Sequence, residues 1–217
     1  MQVHRGIPEQ AETAAVLTIG NFDGVHLGHQ ALLSLLTDKA RALGLPAVVL
    51  TFEPHPREYF SPADAPARLA SLREKLLLLA AAGVDRCHVC RFDARFAAQP
   101  AQAFIDDILV RGLGVRHLFI GDDFRFGARR QGNFAMLRAA GAEGGFGVES
   151  MPTLAVAGER VSSSAVRAAL AEGDLAHAAR LLGRPYSIAG RVSHGDKLGR
   201  QLGFPTANIQ MKHRRPA

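Results

Sequence analysis

The sequence predicts an α/β fold with a parallel, doubly wound sheet. Apolar runs of strand length alternate with segments in which apolar residues recur at helical spacing, and short turns containing glycine separate them. This alternation is typical of parallel sheets, because a helix must carry the chain back before the next strand can pair. The 217 residues, 47% of them hydrophobic, are sufficient to bury a large core.

The first half of the chain contains three predicted strands and two predicted helices. Residues 1–14 show no strong pattern, and we expect no regular element there. In order, the elements are a strand at 15–19, a helix at 27–43, a strand at 47–52, a helix at 69–82 and a strand at 86–92. Gly44 is placed to end the first helix, and Ser71 with Glu74 has the spacing of a capping box near the start of the second.

The second half continues the alternation and then changes character. Pro100 introduces a helix, and Asn133 is placed to cap the next one. The predicted elements are a helix at 101–110, a strand at 116–120, a helix at 133–142, a strand at 147–151, a short apolar segment at 153–160 and two helices that end near 172 and 182. Residues 186–192 alternate as in a β-strand. We therefore divide the chain into domains 1–184 and 185–217.

The two cysteines form a C-x-x-C pair in a predicted strand. Cys87 and Cys90 are three residues apart, so their side chains point to opposite faces of the sheet. This arrangement favours two buried free thiols over a shared metal or a disulfide, and free thiols suit a reducing compartment.

Charge and hydropathy indicate which partners and which location to expect for the protein. The net charge is +6, and the excess lies in residues 184–217, which carry seven Lys and Arg against one Asp. These basic residues are not interleaved with aromatic ones, so we expect no nucleic-acid partner. The chain contains no run of 18 apolar residues and no apolar segment near its start that would suit a signal peptide, so we expect no membrane partner and a cytoplasmic location.

The strongest candidate site is the stretch 17–33, LTIGNFDGVHLGHQALL. It predicts a strand, a turn and then a helix, which places His26 and His29 at the helix start. Free backbone N–H groups there favour an anion, two imidazoles add donors that can be positive near neutral pH, and Gly28 permits close approach of a phosphate. Helix caps, surface residues or metal ligands are the alternatives, although a zinc site would need further ligands.

Three further stretches could contribute to the same site. His55 and Pro56 follow a predicted strand, where ligands bind in open α/β sheets. The loop at 121–132 offers carboxylates, arginines and two phenylalanines, which suit either a flavin or a solvated turn. Residues 162–167 place three serines and an arginine at a helix start, which suits either an anion site or an ordinary serine cap.

The tail contains a fourth candidate. Residues 194–210 combine three glycines with Lys197, as a phosphate loop would, and Thr206 and Asn208 could hold Mg²⁺.

Together these motifs resemble a known family. H-x-G-H resembles the nucleotidyltransferase superfamily, and GNFDGVHLGH is similar to the FMN adenylyltransferase module of bacterial bifunctional riboflavin kinase/FAD synthetases. The stretches TFEPHP, GDDFRFG and VSSSAVR match family segments in the same order, with Ser164 where the family has threonine. HGDKLGRQLGFPTAN resembles the opening of the riboflavin kinase β-barrel. The resemblance implies a Rossmann-like parallel sheet followed by the start of a β-barrel.

The resemblance also implies an activity and a set of roles. The expected reaction transfers AMP from ATP to FMN with Mg²⁺, giving FAD and pyrophosphate. The implied catalytic residues, which would hold the phosphates, are His26, His29, Ser162, Ser163, Ser164 and Arg167. The implied substrate-binding residues are Gly20, Asn21, Phe22, Asp23, Gly24, Gly28, His55, Pro56, Asp123, Phe124, Phe126, Gly127, Lys197 and Gly199, and the implied Mg²⁺ ligands are Thr206 and Asn208.

Riboflavin is the other substrate that the resemblance implies. Full-length relatives phosphorylate it, but the remaining barrel strands and the kinase's acidic residue would lie beyond residue 217, so we expect no kinase activity from these residues alone. Another nucleotidyltransferase and an inactive nucleotide-binding module remain as alternatives.

Overall fold

The structure, a computed structural model, describes residues 1–193, 195, 198–204 and 206–210. A six-stranded sheet with strand order β1-β4-β3-β2-β5-β6 forms its centre, and every pairing in it is parallel. The strands are β1 (Gln2–Arg5), β2 (Ala15–Ile19), β3 (Ala47–Glu53), β4 (Arg86–Arg91), β5 (Val115–Gly121) and β6 (Gly147–Met151). The predicted doubly wound α/β fold is confirmed.

Helices cover both faces of this sheet. They are α1 (Leu27–Leu43), α2 (Pro56–Phe60), α3 (Leu72–Ala81), α4 (Ala94–Ala97), α5 (Ala101–Ala103, continued as a π-helix over Phe104–Gly112), α6 (Phe134–Gly144), α7 (Ser163–Ala171) and α8 (Leu175–Leu182). Helices α1 and α3 pack on one face of the sheet, and α5 with α6 packs on the other. Among the described residues, none of these helices is long and apolar enough to cross a bilayer.

Successive strand residues enter opposite cores, as a strand buried on both faces requires. Val16 packs with α1 and α3, whereas Leu17 packs with α5 and α6. Cys87 and Cys90 are likewise buried on opposite sides, and both thiols are free. The prediction of two separate buried thiols is therefore confirmed.

The observed elements differ from the prediction in several places, and α2 and α4 were not predicted. Residues 1–14 were expected to lack regular structure, yet Gln2–Arg5 forms β1 and pairs with β4. The second long helix begins at Leu72 rather than 69, because Ser71 accepts its first hydrogen bond in the predicted capping box. The strand expected at 186–192 is confined to Arg191–Ser193.

The last described residues form a small separate sheet. Strand β9 (Arg191–Ser193) pairs antiparallel with β10 (Asn208–Gln210), and α9 (Leu198–Gln201) lies between them in the chain. An antiparallel pair after a parallel sheet fits the predicted start of a β-barrel. Another two-stranded pair, β7 (Ala155–Val156) with β8 (Glu159–Arg160), precedes α7.

Candidate active site

A polar cavity of about 450 Å³ opens at the carboxyl ends of the central strands. The strand order reverses between β2 and β5, and open α/β sheets bind ligands in the crevice at such a point. Of the predicted site residues, the following line it: Gly20, Asn21, Phe22, Asp23, His26, Gly28, His29, His55, Asp123, Phe124, Ser162, Ser163, Ser164 and Arg167. The fold therefore brings four separate predicted stretches into one cavity.

The loop after β2 has an unusual backbone. Phe22 and Val25 have φ values of 49° and 41°, in the left-handed region that bulky and β-branched residues rarely adopt. Both side chains are buried, which holds the loop in place despite this strain. Gly24 also has positive φ, and a Cβ there would lie 2.9 Å from Leu69 Cδ1, so this position requires glycine.

His26 and His29 form a stacked pair at the start of α1. The Nδ1 of His26 accepts a hydrogen bond from the backbone N–H of His29 at 3.3 Å, so His26 is the N-cap of the helix. The two ring centroids are 3.7 Å apart. A Cβ on Gly28 would lie 3.2 Å from the His26 ring. The glycine in H-x-G-H thus lets His26 fold back over the helix start.

Burial keeps both imidazoles neutral, which corrects the expectation of positive charge near neutral pH. Burial lowers the pKa of His26 to about 4, and it lowers the pKa of His29 well below 6.5, with His26 as a further cause. Because Nδ1 of His26 already accepts a hydrogen bond, the proton of the neutral ring lies on Nε2. The site therefore offers neutral donors to a phosphate.

These pKa shifts predict a pH dependence of stability. Burial also lowers the pKa of His55 to about 4. Between about pH 6.5 and 4 the unfolded chain binds protons that the folded chain does not, so the free energy of unfolding rises with pH and falls on acidification. We expect the urea midpoint to be lower at pH 5 than at pH 7.5.

The matched variant for this measurement is His26→Asn, which keeps a capping side chain but does not titrate. This substitution should reduce the difference between the urea midpoints at pH 5 and pH 7.5. A urea midpoint that is constant, or that rises toward pH 5, would contradict the burial of neutral imidazoles.

Asp23 and Arg167 form a buried ion pair beneath the cavity. The Asp23 carboxylate, with a side chain 8% exposed, also accepts hydrogen bonds from the backbone N–H groups of Leu69 and Ala70, at 3.1 Å each. Arg167 donates in addition to the carbonyl of Ala67. Sequence reasoning gave both residues direct substrate roles, whereas the structure pairs them with each other. They join the loop after β2, the connection between α2 and α3, and α7.

The three serines at the start of α7 have different surroundings. Ser162 Oγ caps the helix by accepting from Ala165 N at 3.1 Å. Ser163 Oγ donates to the carbonyl of Asp23 at 3.0 Å, and Ser164 is exposed at the cavity. The predicted serine cap and the predicted anion site are compatible, because the cap uses one hydroxyl and leaves the helix N-terminus facing the cavity.

His55 forms a second helix cap at the edge of the cavity. Its Nδ1 accepts from Arg57 N at 3.1 Å, and its own N–H donates to Glu58, which completes a capping box for α2. Glu58 in turn shares Arg68 with Glu53, each at 2.5 Å. Pro56, at the first position of α2, lines the neighbouring cavity.

Two positively charged side chains near His55 and Glu58 were not predicted from the sequence. Arg68 joins Glu53 to Glu58, and Lys75 is 5% exposed next to Asp23 and Arg167 in a small cavity. Burial lowers the pKa of Lys75. One signal was available for the lysine, because it shares the buried face of α3 with Leu79 at the next turn. The sequence carries no such signal for Arg68, because its partners are 10 and 15 residues away, in α2 and at the end of β3.

A second cavity, of about 1080 Å³, adjoins the first and has aromatic walls. Its aromatic residues are Phe52, Phe60, Phe92, Phe96, Phe104, Phe124 and Phe126. Phe126 is buried against Phe104, and a Cβ on Gly127 would lie 2.6 Å from the backbone of Ala101. These two residues fix the loop after β5 to α5, which leaves Phe124 at the junction of the two cavities.

The predicted tail residues that the structure describes stand apart from both cavities. Gly199, Thr206 and Asn208 line neither of them. A Cβ on Gly199 would lie 3.2 Å from Thr206, so these two are close together, and Thr206 and Asn208 are exposed. Lys197 lies outside the described residues. The roles predicted for the tail stay predictions.

Two family models match successive parts of the chain. The family model for FAD synthetase matches residues 8–165, and the model for riboflavin kinase matches residues 182–217. The bifunctional riboflavin kinase/FMN adenylyltransferases of Escherichia coli K12 and Haemophilus influenzae are each 54% identical to the chain, over 98% and 97% of it and 69% of their own length. The protein of that name from Pseudomonas fluorescens is 53% identical, over 99% of this chain and 70% of its own.

A solved structure shares the fold of the chain. The crystal structure titled as a macrolide-efflux protein from Streptococcus pneumoniae aligns with the whole chain and 72% of its own, with a TM-score of 0.85 and 27% identity. The FAD synthetase model covers more than half of the chain, and the relatives named above are more than 50% identical over two thirds of their length. The chain therefore belongs to the FAD synthetase family of bifunctional riboflavin kinase/FMN adenylyltransferases.

Proposed function

We propose that the protein transfers the adenylyl group of ATP to FMN, giving FAD and pyrophosphate. The observation that carries this proposal is the pair of adjoining cavities. One is polar and lies against two helix starts, the other is aromatic, and they share six lining residues. The shared residues are Gly20, Asn21, His55, Arg57, Asp123 and Phe124. Two substrates of different chemistry can therefore meet at that boundary.

The polar cavity suits the triphosphate of ATP. The N-termini of α1 and α7 face it, and free backbone N–H groups there favour phosphate. The buried Asn21 Oδ1 and His29 Nδ1 have no hydrogen-bond partner within the described part of the chain. Since buried polar atoms are nearly always paired, these two atoms support a polar ligand in this cavity.

The aromatic cavity suits the isoalloxazine ring of FMN. Phe60, Phe92 and Phe96 provide faces on which a flat ring can lie, since Phe60 is 65% exposed and in edge contact with Phe92. Arg57 lines both cavities, and a guanidinium there would hold the FMN phosphate at their junction.

The chemistry requires positioning and charge stabilisation. An oxygen of the FMN phosphate attacks the α-phosphorus of ATP, the bond from that phosphorus to the bridging oxygen breaks, and pyrophosphate leaves with the electron pair. FMN phosphate is ionised at pH 7, so no general base is needed. Neutral His26 and His29 donate hydrogen bonds to the phosphate oxygens as charge shifts toward pyrophosphate, and Ser164 adds a hydroxyl.

Mg²⁺ enters this proposal as the ion that accompanies ATP and neutralises part of its charge. Within the described ranges, no three His, Cys, Asp or Glu side chains form a group suited to a metal. We assign Thr206 and Asn208 to Mg²⁺ only in the riboflavin kinase segment, where their oxygens are of the type that Mg²⁺ prefers.

We also propose domain bounds, a segment for the substrate riboflavin and a cellular location. We propose 1–184 as the adenylyltransferase domain and 185–217 as the start of the riboflavin-binding kinase barrel, consistent with the antiparallel pair β9–β10. The free thiols of Cys87 and Cys90 suit the cytoplasm, where ATP is also available.

The test is a direct assay with ATP, FMN and Mg²⁺, in which FAD and pyrophosphate are quantified by chromatography. Phe60→Ala should raise the KM for FMN severalfold and leave the KM for ATP unchanged, because this ring lines only the aromatic cavity. Leu77→Ala, which also removes an exposed apolar side chain, is the matched control. A chain that binds ATP but forms no FAD would overturn the proposal.

A further inference from the structure

A group of hydrogen bonds joins the end of α8 to the strained loop after β2. Arg184 Nη1 donates to the carbonyls of Val25 at 3.1 Å and Leu182 at 3.3 Å, and its Nη2 donates to the carbonyl of Gly24 at 2.6 Å. Gln30 Nε2, from α1, donates to the same Val25 and Leu182 carbonyls at 2.9 and 2.8 Å. We call these contacts the Arg184 clasp.

The clasp uses the full hydrogen-bonding capacity of two carbonyls. The carbonyls of Val25 and Leu182 each receive two donors, which matches their two lone pairs. The packing around it is also close, because a Cβ on Gly183 would lie 2.5 Å from Leu27 Cδ2. The end of α8 is therefore fixed against the first residue of α1.

The clasp holds the backbone that directly precedes His26. Val25 immediately precedes His26, and its φ of 41° is a strained conformation that persists only where the surroundings enforce it. Arg184 donates hydrogen bonds to the carbonyl of Gly24, which precedes the strained residue, and to the carbonyl of Val25 itself. Loss of these contacts would free the backbone that orients the His26 and His29 pair.

We propose that Arg184 is a positioning residue for adenylyl transfer, which fixes the end of α8 against the phosphate-binding loop after β2. Arg184 lies in residues 182–217, which match the riboflavin kinase model, and outside residues 8–165, which match the FAD synthetase model. This inference rests on the proposed function for its kinetic consequence.

The test compares Arg184→Gln with Arg180→Gln, which removes the same charge from an exposed position on α8. Arg184→Gln should lower kcat for FAD formation about tenfold or more, since a misplaced catalytic group is costly even when it is still present. The KM for FMN should stay within about twofold, and Arg184→Lys should recover part of kcat. Arg180→Gln should match the wild type in every measurement.

Amide hydrogen exchange provides a readout that is independent of activity. Arg184→Gln should increase exchange at residues 22–28 while central strands such as β3 remain protected. A kcat within about twofold of wild type, or unchanged exchange at 22–28, would overturn the proposal. If Arg184→Gln does not fold, Arg184→Lys is judged by the same two criteria. A wild-type chain without FAD synthesis would refute the proposed function, and the exchange experiment would still decide the clasp.

Discussion

Replacing His29 with alanine is expected to lower kcat for FAD formation about a hundredfold or more, because loss of one transition-state donor typically costs about 3 kcal/mol. The side chain lines the polar cavity, and its buried Nδ1 has no partner in the part of the chain that the structure describes. The helix cap belongs to His26, so α1 should still form without His29. Steady-state kinetics measures kcat, and a thermal melt on the same preparation measures whether the fold is retained.

Two comparison variants separate catalysis from structure. His4→Ala removes an imidazole from an exposed position on the edge strand β1 and should leave kcat unchanged. His26→Ala should lower both kcat and the melting temperature, because it also removes the N-cap of α1, which is worth about 1 kcal/mol. An unchanged kcat in His29→Ala together with a large drop in melting temperature would assign this histidine to the fold instead.

Much of the architecture was predictable because local pattern and tertiary environment agree. The strand at Ala15–Ile19 and the helix at Leu27–Leu43 were predicted with their observed bounds, and Gly44 ends that helix in the left-handed conformation. The edge strand Gln2–Arg5 was not predictable, because all four residues are exposed and carry no alternation. It is a strand only because β4 offers an unpaired edge.

The residues that line the candidate site could be predicted from the sequence, but the charge of its histidines could not. Spacing placed His26 and His29 at a helix start, but only the packed structure shows that burial lowers their pKa values and keeps them neutral. Their ligand roles stay predictions. Asp23 reads as a turn residue in the sequence, and its partner Arg167 is 144 positions away, so no local pattern could reveal the pair.

The second large effect is expected at that pair. Asp23→Ala should destabilise the protein by about 3–5 kcal/mol, because it leaves the Arg167 guanidinium, with a side chain only 17% exposed, without its counter-charge. It also removes the acceptor for the N–H groups of Leu69 and Ala70. Urea unfolding at pH 7.5 measures the loss, and FAD synthesis by the remaining folded fraction should fall as well, since Asp23 joins the loop after β2 to α7.

A double variant distinguishes a structural ion pair from a direct ligand. Asp23→Ala with Arg167→Met removes both charges, so it should recover part of the stability that Asp23→Ala loses. If Arg167 only pairs with Asp23, activity should recover along with stability. If Arg167 also binds a phosphate, as its place at the polar cavity suggests, stability should recover while kcat stays low. A free energy of unfolding for Asp23→Ala equal to that of the wild type would contradict the buried pair itself, because an uncompensated charge at this position cannot be neutral in energy.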